Sequence, residues 1–159
     1  MNDFLIIVIA GFFSCVALDF FGRALLILFK IPEPSWGVVG RWVFFMVRRG
    51  TVFNPQISDA VPIAYEVKIG WAFHYLIAVV WAVAFHIFFV GYPLFELSYK
   101  NGLLFGALTT LAPLIIFMPF TGQGVLARKT QMPLLTSLIM LARHCVFGLA
   151  MFEAFSWFH

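Results

Sequence analysis

Apolar residues in this chain are gathered into long, nearly continuous runs, with the polar residues collected between them. Four runs stand out, about Phe4–Phe29, Ala64–Val90, Gly102–Thr121 and Leu134–Phe158, and each is long enough to cross a hydrocarbon core of about 30 Å, which takes about 20 helical residues. Lipid offers no partner to an unpaired backbone group, so such spans must be helical, and no series of short alternating segments predicts a barrel. The breaks fit four helices. Pro32 and Pro34 end the first run, Gly91-Tyr92-Pro93 ends the second, and Gly122-Gln123-Gly124 and Pro133 bracket the last connection. Pro113 and Pro119 fall within or near the end of the third run and predict a kink there. The first run opens on Asn2-Asp3 instead of a basic segment and is too long for a cleaved signal, so it reads as a retained helix.

The longest connection carries an element of its own. From Val38 to Arg49, the residues Val38, Val39, Trp42, Phe45 and Met46 share one helical face, and Arg41 and Arg48 project away from it. This pattern predicts a helix lying on the cytoplasmic leaflet over about residues 38–49, with Arg41, Trp42, Arg48 and Arg49 facing lipid and its headgroups. The run Val43–Val47 is greasy nearly all round, which leaves a short re-entrant or protein-buried segment as the alternative.

Composition narrows the class. The chain has 159 residues, of which 63% are hydrophobic and 11% charged, against about 45–50% and about 25% in soluble domains. A soluble domain of this size cannot bury so much apolar surface. An ordinary soluble enzyme, a disordered tail and a nucleic-acid module are therefore excluded. The expected fold is an all-α membrane protein, a four-helix transmembrane bundle forming one domain over residues 1–159. Its basic residues are sorted by loop. Lys30, Arg41, Arg48, Arg49 and Lys68 flank or fill the first connection and Arg128 and Lys129 the third, against Lys100 on the other side. The positive-inside bias puts both basic connections in the cytoplasm and both termini outside.

Ionisable residues inside the spans are costly, and they mark sites by default. Asp19, His74 and His144 each fall roughly ten residues, or about 15 Å, from the cytoplasmic end of their runs, near mid-membrane. Arg143 starts at the same depth, Arg23 lies lower, and Glu66 sits near the cytoplasmic edge. Asp19 and Arg23 are spaced to form an ion pair. Small residues continue the polar ridges: Gly11 and Cys15 lead to Asp19, Gly70 lies between Glu66 and His74, Gly102 and Gly106 lie on the third run, and Gly148 follows His144. Such residues let helices approach closely.

The candidate ligand or ion site is thus Asp19, Arg23, Glu66, His74, Arg143 and His144. Asp19 supplies the anion, Arg23 or Arg143 the counter-charge, and the histidines the titrating or ligating groups. His74, His144 and Cys145 are candidate metal ligands, and haem between His74 and His144 is a further cofactor candidate. The alternative is a buried network that only fixes how the helices pack. Beyond the lipid bilayer, the expected partners are further copies of the chain or a larger membrane complex; nucleic acid is excluded. No sequence motif of a hydrolase, metalloprotease, P-loop or dinucleotide enzyme occurs, so an enzyme is the less favoured reading.

Several segments together resemble a known family. They are Gly40-Arg41-Trp42 after Pro34-Ser35-Trp36; Glu66 with Gly70-Trp71 and His74-Tyr75; Pro113 and Met118-Pro119 with Gly122-Gln123-Gly124; and His144 with Phe147-Gly148. The chain resembles, over nearly its whole length, an uncharacterised bacterial inner-membrane family known as domain of unknown function 2938, while its tract Ala127–Pro133 departs from the family's pattern. The resemblance implies a multi-pass protein of the bacterial inner membrane, with both termini periplasmic by the charge bias above. It implies no activity. The function expected is a small membrane protein whose mid-membrane polar cluster binds or conducts a small ion, metal or polar ligand. The alternative is a non-catalytic accessory subunit of a larger membrane complex.

Overall fold

In the computed structural model, residues 2–159 are described, and every regular element among them is helical. α1 spans Asp3–Phe29, with Asn2 as its N-cap accepting a hydrogen bond from Phe4 N at 2.9 Å. It ends at Lys30 in the left-handed region, whose N–H turns back to the carbonyls of Leu25 and Leu26. α2 spans Trp36–Arg49 between the Ser35 cap and Gly50. α3 spans Glu66–His86 and closes in a π-helical turn, Ile87–Gly91, ahead of Pro93. α4 spans Tyr99–Thr109 and passes through a second π-helical turn, Ala112–Phe117, into the short α5, Met118–Phe120. Pro113 has no N–H for the carbonyl four residues back, so the α-helical repeat breaks there, as the two prolines predicted. α6 spans Pro133–Ser156, with proline at its first position, where no donor is missed.

Four segments are long and apolar enough to cross a membrane: Asp3–Phe29, Glu66–Gly91, Tyr99–Phe120 and Pro133–Ser156. Each coincides with an expected span to within a few residues. Phe4, Phe20, Leu28, Phe29, Leu76 and Leu134 are all well exposed. A water-soluble surface would not carry so large an apolar area, and lipid requires one.

The chain falls into two compact units. The first takes the chain up to Glu33 with Tyr75–Thr110 and Leu141–His159, so all four spans contribute to it. Its core is aromatic. Phe85 stacks on Phe155 at 5.3 Å and meets Phe105 edge-on at 5.0 Å, over the buried Ala10, Ala78, Ala82, Met151 and Ala154. α4 and α6 touch backbone to backbone. A Cβ at Gly106 would strike the His144 carbonyl, and one at Gly148 would strike the backbone of Gly102 and Gly106. This is the small-residue contact that the Gly102–Gly106 spacing predicted. At one end, Tyr99 donates its hydroxyl to Glu153 at 3.1 Å, and His86 lies 3.8 Å from Asp3.

The second unit comprises Pro34–His74 and Leu111–Met140. Here α2 lies so tightly on the first turns of α3 that a Cβ at Gly40 would meet the Glu66 carbonyl and one at Gly70 the Trp36 carbonyl. Trp42 packs edge-on against Phe73 and Phe117, at 6.0 and 5.4 Å, and donates its indole N–H to Val52 O at 2.7 Å. Leu114, Met118 and Ala127 form a small core beside them. This packing corrects one expectation. Arg48 and Arg49 are exposed, but Arg41 and Trp42 are buried at 5% and 6% exposure and do not face lipid. The glycines at 37, 40 and 70 bring α2 against α3 and turn that face inward.

Candidate functional site

Asp19 lies in the middle of α1, ten residues before its end. Tyr75 donates its hydroxyl to Asp19 Oδ2 at 3.0 Å, and its ring lies 5.1 Å from that of Phe12, one side of the contact being apolar and the other charged. One turn before Asp19, Cys15 is fully buried with its thiol reduced. The expected pairing of Asp19 with Arg23 is replaced by another. Arg23 Nε reaches Glu33 Oε1 at 3.4 Å, with 58% of the arginine side chain exposed. Arg23 has the length to run to the helix end, where the Pro32-Glu33-Pro34 turn offers a carboxylate, while Asp19 is held by Tyr75.

Arg143 and His144 follow each other on α6 and differ in how they are satisfied. His144 Nδ1 lies 2.9 Å from Thr109 Oγ1, and that hydroxyl donates its single proton to Gly106 O at 2.7 Å. With that proton committed to the carbonyl, the threonine oxygen faces the His144 ring as an acceptor. Arg143 is buried at 4% exposure, and its Nε and Nη2 have no hydrogen-bond partner among the described residues. Its guanidinium lies over Gly22, where a Cβ would stand 3.2 Å from Cζ and Nη2. Glu33 and Asp19 are the carboxylates whose charge acts on it. Cys145 is half-buried and reduced. As the next residue on α6 it is turned away from His144 by about 100°.

In the second unit, Glu66 is committed to Arg41. Arg41 Nε donates to Oε2 at 2.9 Å and Nη2 to Oε1 at 3.1 Å, while Ile63 N also donates to Oε2 at 3.0 Å. The remaining edge of the guanidinium holds the preceding loop, with Nη1 donating to the carbonyls of Ile57 at 3.0 Å, Ser58 at 3.3 Å and Ala60. Burial of Arg41 is matched by a full set of acceptors. Glu66 thus fastens α2 and its loop to α3, a different task from the ligand contact expected of it. His74 packs tilted against Trp36 at 4.3 Å and meets Trp71 edge-on at 5.8 Å, with the two indoles 4.7 Å apart.

The first unit therefore holds Asp19, Arg143 and His144 with their partners, and the second holds Glu66 and His74. Tyr75, Glu33 and Thr109 were not singled out as site residues from the sequence. Tyr75 could have been found as the polar-tipped aromatic next to His74, and Thr109 as the hydroxyl one turn before Pro113. Glu33, set between prolines, gave no signal.

The segments carrying these residues now place the chain in a family. It belongs to the family described as protein of unknown function DUF2938, which matches residues 7–157. The match takes in the four spans, the Arg41–Glu66 clasp and the pair at Asp19 and Tyr75. No curated protein and no solved structure matches the chain.

Proposed function

We propose that this chain is a small multi-pass membrane protein whose intramembrane polar groups bind or pass a small ion, metal or polar ligand, with Asp19, Arg143 and His144 as its working residues. The observation that carries this reading is Arg143. A polar network kept only for architecture has its donors satisfied, because an unpaired buried charge is expensive. Arg41 shows that standard met in this same protein, and Arg143 does not meet it. Ionisable residues inside spans are tolerated where they serve a ligand or a water-filled path. The sorting of basic residues supports an inner-membrane orientation with both basic connections cytoplasmic and both termini periplasmic. Four spans are few for a transport path, so passage across the bilayer would use several copies.

The test is purification in mild detergent followed by elemental analysis and calorimetric titration with zinc, potassium and phosphate. The reading predicts a bound or titratable ligand that is lost in His144→Gln or in Asp19→Asn while helical content is kept. A protein that binds none of these and copurifies with a stoichiometric membrane partner would make it an accessory subunit.

A further inference from the structure

Arg41 and Arg143 are the two buried arginines among the described residues. The side-on edge of a guanidinium, formed by Nε–H and one Nη2–H, presents two parallel donors that match two oxygens of one carboxylate or phosphate. In Arg41 this edge grips both oxygens of Glu66. In Arg143 the same two atoms have no protein acceptor, although the side chain is more than nine-tenths buried. Arg23, the other cation of α1, is already paired with Glu33. Glu33 and Asp19 act on Arg143 through charge without hydrogen-bonding it, which leaves a two-point donor fork in a region screened from bulk water. Gly22 lets the guanidinium lie close against α1, because any side chain there would press on it. Gly22 lies seven residues before the end of α1, about 10 Å along the helix, within reach of the boundary layer.

Resting on the function proposed above, we propose that the Nε–Nη2 edge of Arg143, lying over Gly22, is a binding site for an oxyanion, and that the polar ligand is recognised through a carboxylate or phosphate group. Either a free anion or a phospholipid headgroup carries that chemistry.

The test uses the full chain purified in detergent and in nanodiscs. Inorganic phosphate and acetate are titrated by calorimetry, and retention of phosphatidylglycerol from mixed phosphatidylcholine discs is read by native mass spectrometry. A free-anion ligand predicts saturable one-to-one binding that weakens at least tenfold in Arg143→Lys, which keeps charge and loses the fork, and disappears in Arg143→Gln. A headgroup predicts one retained phosphatidylglycerol per chain, absent from both variants. Gly22→Ala, which keeps the arginine and crowds it, should weaken either by at least threefold, and it decides the question if the arginine variants lose their circular-dichroism helicity. Wild-type protein that takes up neither oxyanion nor anionic lipid would overturn the proposal, as would binding within twofold of wild type in all three variants. If zinc or potassium still binds in those cases, the wider function stands and only the oxyanion assignment falls. If nothing binds, both fall.

Discussion

The Nε–Nη2 edge of Arg41 closes on both carboxylate oxygens of Glu66, at 2.9 and 3.1 Å, and the opposite edge carries the carbonyls of the loop between α2 and α3. Breaking a buried pair by removing one partner costs about 3–5 kcal/mol, because the other charge is left uncompensated. Arg41→Ala should fall in that range, and Arg41→Lys should recover only part of it, since a single ammonium cannot replace the fork. Denaturant titration of the purified protein followed by circular dichroism checks this. Removal of both charges in Arg41→Met/Glu66→Met should cost less than Arg41→Ala alone, and a larger cost would show that the clasp contributes more than mutual charge compensation.

The α4–α6 contact makes a different kind of prediction. A methyl at Gly148 meets backbone of Gly102 and Gly106, which cannot rotate aside. Gly148→Ala should destabilise by about 1–3 kcal/mol through overpacking, while Leu104→Ala, at an exposed position, should change stability by less than about 0.5 kcal/mol. Thermal unfolding of the two variants side by side measures the difference.

Asp19 and Tyr75 should be coupled. Hydrogen bonds between membrane helices average about 0.6 kcal/mol and reach about 1.7 kcal/mol in double-mutant cycles. The cycle built from Asp19→Asn and Tyr75→Phe should give a coupling energy in that range, toward the upper end because one partner is a carboxylate. Additive single effects would mean that the 3.0 Å contact carries no energy of its own.

Orientation can be read directly. Cysteines introduced at Ser58 and at Lys129, in a background lacking Cys15 and Cys145, should be shielded from an impermeant maleimide added to intact cells. A cysteine at His159 should react with it. The opposite pattern would reverse the assigned topology.

Much of the fold was legible because a span is a property of length and hydropathy alone. The four spans, the break at Pro113 and the small-residue faces of the third and fourth helices all follow from one-dimensional patterns. What sequence could not give is the direction in which a polar side chain leaves its helix. Arg41 reads as a headgroup residue by charge and position, yet Gly37, Gly40 and Gly70 draw its helix inward and a carboxylate 25 residues away receives it. Likewise, the spacing of Asp19 and Arg23 permits a pair, and the partner that Arg23 takes instead is set by a turn between two prolines. Spacing within one helix is local information, and these partners are tertiary.

On the proposal above, Arg143 is held in the membrane interior for a ligand and not for the fold. The most direct measurement is the unfolding free energy of ligand-free Arg143→Met against wild type. If the arginine serves binding, removing a buried charge whose Nε and Nη2 lack partners relieves a cost, and the variant should equal or exceed wild-type stability while losing oxyanion binding. A loss of about 3–5 kcal/mol, the mark of a broken structural pair, would show that Arg143 serves the fold instead.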